Sequence, residues 1–517
     1  MSGNPERLQT TDAGELGGPP GSPAAGSAGE QPDHSRVARG LISLVLSQLL
    51  QMPLSMLVNA VLARKLGPQD FGAIYLASTT VGVGFLFVEW GQSTSIAGAV
   101  ARDRSRAPAL LGTSLLSKVL LGALATAALS QVGQRLGYAA EARTALLFLS
   151  AQALLVSLQQ TGAAVLRGHE RTDLLSGLNL FGAAAGAALT LVAALAGSGL
   201  AGVLLAMVAG SALLAMATAW LLARFGVLRP RLDGPAAREL LGHGSAFLVF
   251  TLVLSLQPYV DAAQLARLAG PEVMGWHAAA RRMTGLLIFP ATTLGFTLYP
   301  TLSRLHQEDP ARQVELMRGA LRMMVLTSVP AAMGTALFAG PAVHLIYGKV
   351  GYEGAVLNLQ ILALWVLLVY FSILFGSSLV ATGRIKAWTA VQAICVVVSV
   401  LGNPPLVRLF HDRFGNGAAG VSVSSVISEV LMVAIGGSML ARTLRSGGLL
   451  RAFLQAGAGG AAMAAVAWVL GDWTPLSIAG SLAAYGATLW ALGALRGADL
   501  RELVAMLRSK AAKKLEG

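Results

Sequence analysis

From about residue 41 to residue 495 the chain alternates long apolar runs with short polar breaks. The runs are close to 20 residues each, the length a helix needs to cross a hydrocarbon core of about 30 Å. They are rich in Ala, Leu and Gly and show no period-two alternation, so membrane strands are not expected. The pattern predicts about fourteen spans, at 41–63, 71–95, 109–131, 143–165, 174–196, 200–223, 243–265, 276–302, 320–346, 355–381, 386–407, 416–441, 450–470 and 474–495, with twelve as the lower count. The fold class is an all-α polytopic membrane protein.

The breaks carry a repeat. Leu62-Ala63-Arg64-Lys65-Leu66-Gly67-Pro68-Gln69-Asp70-Phe71-Gly72 closes the first run and opens the second, and Leu265-Ala266-Arg267-Leu268-Ala269-Gly270-Pro271-Glu272-Val273-Met274-Gly275 does the same for the seventh and eighth. Leu, Ala, Arg, Gly, Pro and the second Gly match in register. The first Gly suits a left-handed helix end, and Pro suits the first position of the next helix. A weaker echo joins Val165-Leu166-Arg167-Gly168-His169-Glu170-Arg171 to Val380-Ala381-Thr382-Gly383-Arg384-Ile385-Lys386. Two homologous six-span lobes follow, at 37–225 and 226–445, joined by the cytoplasmic loop 224–240 with Pro230 and Pro235. An even span count gives both lobes the same orientation, related by an axis along the membrane normal around a central cavity. Spans thirteen and fourteen (446–496) lie outside the repeat. Residues 1–36 are too polar to fold and read as a disordered cytoplasmic tail, with no cleavable leader. Residues 497–517 read as a basic amphipathic interfacial helix: Leu500, Leu503, Val504 and Leu507 share a face, and Arg501, Arg508, Lys510, Lys513 and Lys514 supply the polar side.

Composition sharpens this picture. The chain is 55% hydrophobic and 12% charged, where soluble domains average about 25% charged. Its net charge of +13 would suggest nucleic acid in a soluble protein, but the distribution says otherwise. With the N-terminus inside, roughly 25 Lys and Arg fall in cytoplasmic segments against roughly 8 outside. The inside set includes Arg102, Arg104, Arg106, Arg229, Arg231, Arg238, Arg312, Arg318, Arg442 and Arg445. Both termini are therefore expected in the cytoplasm, with the basic surplus against anionic lipid and no nucleic-acid partner. The single cysteine, Cys395, lies in an apolar span, and no metal-spaced Cys/His cluster or phosphate loop occurs. No metal and no cofactor are expected.

Charge inside a span is costly, about 2.5–3.5 kcal/mol at a helix centre, so each such residue is a functional candidate. Asp261 lies nine residues before Gly270 and Arg281 eleven after it, which places them at a similar depth of about 15 Å from the turn. His277, Arg281 and Thr284 share one helix face; Gln257, Asp261 and Gln264 share another. The pair has two readings, a cavity cation for an anionic substrate or a buried pair that fixes the hairpin. Arg282 lies about 100° around the helix from Arg281, so the two need not share the cavity. Gln48, Gln51, Ser55 and Asn59 form an uncharged stripe in the first span that must face protein or water. Pro53 and Pro258 occupy similar places in the two lobes and are hinge candidates. Asp261 and Glu89 are candidates for ion coupling, and Lys118 is expected to snorkel toward the interface. Glu429 is a further charge, in the twelfth span.

Ala63-Arg64-Lys65-Leu66-Gly67-Pro68-Gln69-Asp70-Phe71-Gly72-Ala73-Ile74-Tyr75 resembles the opening of polysaccharide-type flippases, within the multidrug, oligosaccharidyl-lipid and polysaccharide exporter superfamily. Glu89-Trp90-Gly91-Gln92-Ser93-Thr94-Ser95 resembles that family's acidic segment at the end of the second span. The resemblance implies a non-enzymatic transporter of the cell membrane. It would move a polyprenyl-pyrophosphate-linked oligosaccharide to the outer leaflet by alternating access, in surface or exopolysaccharide biosynthesis. Arg281, Arg282, His277, Asp261, Gln257, Gln48, Gln51 and Asn59 are then the candidates for substrate binding. A monomer is expected, working beside membrane lipids and polysaccharide polymerase or assembly proteins. Three alternatives stay open: an ion-coupled drug or cation antiporter, a lipid-linked peptidoglycan-precursor flippase, and, more remotely, a membrane polysaccharide polymerase or ligase. Short outer loops of about 3 to 12 residues speak against the last.

Overall fold

The computed structural model describes residues 34–226, 230–242, 245–441, 447–471 and 475–494. The 1–33 tail and the 497–517 helix lie outside the described residues, as does the side chain of Gln48. Among the described residues the regular structure is entirely helical. Ten helices are long and apolar enough to cross a membrane, and a pair bent by 47°, α9 (Gly270–Leu287) and α10 (Phe289–Glu308), makes an eleventh. The bend falls just before Pro290, which has no N–H to give and crowds the preceding turn. The first of the ten, Gln51–Arg102, holds two spans. Its helix α1 (His34–Glu89) is broken at Gly67, where φ is 78°. Among the described residues α8 (Ser245–Leu268) and the short α17 (Pro475–Ala491) complete fourteen.

The remaining spans are α3 (Ala107–Arg135), α4 (Ala140–Gly168), α5 (Thr172–Leu195), α6 (Gly199–Arg224), α11 (Pro310–Leu337), α13 (Glu353–Ala381), α14 (Ile385–Phe414), α15 (Gly417–Met439) and α16 (Gly447–Leu470). Turns sort onto two faces. After odd-numbered spans they meet one another: the Tyr352 hydroxyl donates to the Ala63 carbonyl at 3.0 Å, and Asn416 Nδ2 to the Gly354 carbonyl at 2.9 Å. After even-numbered spans they meet on the other side. There the Arg231 amide donates to the Pro108 carbonyl at 3.0 Å and Arg106 pairs with Glu239 at 2.5 Å. We call these the junction face and the linker face.

The segment expected as a plain loop at 224–240 ends in a helix, α7 (Gly234–Gly242). Its Ala236 and Leu240 bury against Ile96, Val100, Leu110 and Leu111 of the first lobe. Gly112 lets the chain approach: a Cβ there would stand 2.6 Å from the Arg231 nitrogen. The linker is thus part of the first lobe's packing.

The lobes join at the junction face through the two repeated turns. Gly67 and Gly270 both adopt left-handed backbone, φ +78° and +83°. The second glycines of the motif face each other. A Cβ on Gly72 would meet the Gly275 nitrogen and the Pro271 oxygen at 2.7 Å, and one on Gly275 would meet the Pro68 oxygen at 2.1 Å. Around this contact Phe71, Leu62 and Ala63 of the first lobe pack with Ala278, Ala279 and Tyr347 of the second in one buried cluster. Arg64 donates to the carbonyls of Leu345 and Ile346 at the end of α12 (Ala339–Tyr347). The repeat visible in the sequence is therefore also the seam that closes this face.

Candidate functional site

Behind the seam lies a cavity between the lobes. One chamber of about 350 Å³ is lined by Gln51, Ser55, Asn59, Gln152, Thr190 and Arg282, among others. A second, of about 220 Å³, shares Ser55, Asn59 and Arg282 and adds Met52, Met56 and Tyr347. The first limb of α1 contributes its polar stripe here because Gln51, Ser55 and Asn59 recur at one helical face. The Asn59 amide donates to the Ser55 carbonyl at 2.7 Å, which fixes its oxygen outward as an acceptor.

Arg282 is the charge of this cavity. It lies twelve residues past Gly270, about 18 Å along the helix and so near mid-membrane. Its guanidinium carbon stands 5.3 Å from the Phe71 ring centroid. Its Nε is buried with no hydrogen-bond partner, and among the described residues no carboxylate pairs with it.

Arg281 lines neither chamber. It turns into the second lobe, where its Nη2 donates to Asp261 at 3.2 Å and to Ser425 at 2.5 Å. Its guanidinium stacks over Trp365, 4.9 Å from the centroid. Asp261 is 1% exposed and also accepts from Asn403 Nδ2 at 2.9 Å. Gln257 donates to Ser399 at 3.4 Å in the same interior. Glu429 is buried nearby and accepts from Ser372. Equal depth on one hairpin does bring Asp261 and Arg281 together, inside the lobe between α8, α9, α14 and α15. The 100° offset decides the rest: pairing Arg281 inward turns Arg282 to the cavity.

The first lobe holds a second ion pair. Lys118 does not snorkel; it is fully buried, and its Nζ donates to Glu89 at 2.6 Å and to the Ser157 carbonyl at 3.0 Å. Glu89 also accepts from Ser157 and Ser93. A nearby cation and hydroxyls thus satisfy this carboxylate, which keeps 27% of its side chain exposed. Beyond it, Trp90 and Gly91 take left-handed backbone and the chain turns into α2 (Gln92–Arg102). His277 lies in neither chamber; it is fully buried at the lobe seam, its ring 5.7 Å from that of Tyr75. Helix α1 stays helical across Pro53 and breaks at Gly67, and α8 runs through Pro258. Among the described residues no group of three or more His, Cys, Asp or Glu could hold a metal ion.

Residues 61–356, more than half of the chain, match the sequence profile of a family described as polysaccharide biosynthesis protein. The chain belongs to this family. Its fold is shared with solved transporters and flippases. An inward closed lipid II flippase, MurJ, superposes with a TM-score of 0.67 at 13% identity, over 90% of this chain and 100% of that one. An inward-facing multidrug resistance transporter of the MATE family, within the MOP superfamily, gives 0.61 at 16% identity, over 79% and 99%. A Vibrio cholerae MATE transporter gives 0.52 at 18% identity, over 81% and 99%. No curated protein matches the chain in sequence. The polysaccharide biosynthesis family, a MATE- and MurJ-like fold and many apolar spans make this a multi-pass membrane protein.

Proposed function

We propose that this family member flips a polyprenyl-pyrophosphate-linked oligosaccharide across the cell membrane by alternating access, with Arg282 as the cation that holds the pyrophosphate. The observation that carries this is an unpaired guanidinium at mid-membrane in a largely apolar cavity whose other polar groups are neutral amides and hydroxyls. An unpaired buried cation is costly unless a ligand anion visits it. A planar guanidinium grips phosphate oxygens in two places at once. Gln51, Asn59, Gln152 and Thr190 offer the neutral donors and acceptors that sugar hydroxyls need. A receptor for cationic drugs would instead place carboxylates there. The Lys and Arg asymmetry puts the junction face outside, so this conformation is closed outward and receives substrate from the cytoplasmic side. The two proposed coupling acids, Asp261 and Glu89, already hold Arg281 and Lys118. That favours a structural role for both.

The test is flipping of a lipid-linked oligosaccharide in proteoliposomes. Losing one charge-assisted contact is worth about 1.5–3 kcal/mol, or roughly tenfold to a hundredfold in rate or affinity. Arg282→Gln should lower flipping by that factor and leave thermal stability unchanged or raised, since it removes a charge that nothing in the protein pairs. Arg282→Lys should fall between. Undiminished flipping by Arg282→Gln would remove the basis of the proposal. Selective loss of lipid II flipping would point to the peptidoglycan precursor instead.

A further inference from the structure

His277 is fully buried, and neither ring nitrogen has a hydrogen-bond partner. It sits where the two lobes touch. Tyr75 of the first lobe meets its ring edge-on, at 5.7 Å and 76°. Two residues earlier, Gly275 packs on the Pro68 backbone across the same seam.

The repeat supplies an internal control. Aligning Gly67 with Gly270 places His277 on Ile74. Ile74 is 1% exposed and fills its site with apolar surface alone. Packing at this position therefore does not call for an imidazole. A buried ring left without partners forfeits the hydrogen bonds it made in water, so the side chain carries a liability that Ile avoids.

We propose that His277 is a proton-binding site on the lobe seam, filled when the junction face opens and emptied when it closes. The surroundings explain why the proton must leave. Arg281 stands one turn along the same helix, and its charge is committed to Asp261 of α8. Arg282, on the same helix, turns to the cavity. Tyr75 of α1 offers a ring edge, and Tyr347 of α12 uses its hydroxyl on the Ala279 carbonyl. Glu353 of α13 binds the Gly351 amide at the junction face, Glu429 of α15 accepts from Ser372, and Arg304 and Glu308 of α10 pair with each other. None of these groups accepts from the imidazole. An imidazolium in the closed seam would be a second cation beside Arg281, with two N–H groups and nowhere to donate. Opening the junction face withdraws Tyr75 with the first lobe and lets water reach the ring. There the imidazole can take up a proton and donate to water. The sign follows by linkage: protons bind the open form, so acid on the junction side favours opening and alkali favours closing.

The experiment uses the full-length protein in proteoliposomes, with Cys395→Ala as background and spin labels on Ala139→Cys and Val350→Cys. These are exposed positions on the first and second lobes at the junction face. Pulsed dipolar spectroscopy reads the distance between them at pH 8 and pH 5.5. A longer-distance population should grow from pH 8 to pH 5.5, its ratio to the short one rising by at most tenfold per pH unit. His277→Ile, which copies the first repeat, should abolish this response. So should His277→Gln, which keeps a polar side chain that does not titrate and serves if the Ile variant folds poorly. A pH-independent ratio in the parent, or an undiminished pH response in a folded variant, would overturn the assignment.

Discussion

Exchanging Asp261 and Arg281 for their neutral isosteres separates a structural clasp from a transport site. Arg281→Gln leaves a carboxylate that is 1% exposed with only the neutral donors Asn403 and Ser425 beside it. Breaking a buried pair this way costs about 3–5 kcal/mol. Asp261→Asn is the milder loss. Its amide oxygen can still accept from Asn403, and the stranded guanidinium keeps Ser425 and the Trp365 ring, with 15% of its side chain exposed. We expect about 2–3 kcal/mol for that change, at the low end because a charge-assisted bond and a stacked ring remain. The double variant Asp261→Asn/Arg281→Gln leaves no buried charge, and Gln can still donate to the Asn carbonyl. It should return to within about 1–2 kcal/mol of the parent, giving a coupling energy of several kcal/mol between the two sites. Thermal unfolding in detergent gives the stability side of the cycle, and flipping in proteoliposomes gives the functional side. Recovery of both by the double variant fits a clasp. Additive destabilisation would refute the pair as an energetic unit. Recovered stability with lost flipping would return Arg281 to the substrate path.

Two other outcomes follow from the seam and the topology. Gly275→Ala should hold the junction face apart, because a Cβ there meets the Pro68 backbone at 2.1 Å; overpacking of this kind costs about 1–3 kcal/mol, and the Ala139–Val350 spin-label distance should lengthen at every pH. Reporter fusions after residue 350 should read outside and after residue 230 inside, and the reverse at both would invert the assignment of entry and exit faces.

Much of the architecture is legible in the residues alone, and the reason is the solvent. A bilayer forces backbone groups to be satisfied within each helix, so span length and Gly-Pro breaks suffice to count fourteen crossings. The repeat could be read because Gly67, Pro68 and Gly72 answer backbone demands that no other residue types meet as well. The site was only half legible. Equal distance from a turn pairs Asp261 with Arg281, but depth says nothing about which helix face meets the cavity, so it cannot choose between Arg281 and Arg282. The signal that separates them is the pairing itself: a cation with an acid at its own depth is spoken for, and its neighbour is not. The same arithmetic applies to Glu89 and Lys118, which lie 14 and 15 residues either side of Asp103. It identifies a buried pair where a long flexible side chain alone suggests snorkelling. His277 shows the remaining gap. Periodicity puts it on a face with Arg281, yet only three dimensions show that His277 meets Tyr75 at the seam while Arg281, one turn on, turns into the second lobe.

The two halves of the repeat have kept the same backbone and divided the chemistry. In register, Asp261 falls on Val58, His277 on Ile74, Arg281 on Ser78 and Arg282 on Thr79. The shared Gly and Pro residues cannot drift independently, because each junction is the surface against which the other packs. Side chains pointing away from that contact carry no such mutual constraint. The outcome is a cavity with unlike walls. The first lobe offers Gln51, Ser55 and Asn59, which hydrogen-bond but carry no charge, and the second offers the single guanidinium of Arg282. On the proposed reading, such a cavity orients its cargo. Pyrophosphate is drawn to α9, and the glycan is left along α1, α5 and α6, where neutral amides and hydroxyls can exchange partners as it moves. A rocking motion of the lobes then separates the two parts of the site. The grip on phosphate travels with the second lobe and loosens from the first without breaking any salt bridge. The two ion pairs within the spans, Asp261–Arg281 and Glu89–Lys118, each lie inside a single lobe, where that motion leaves them intact.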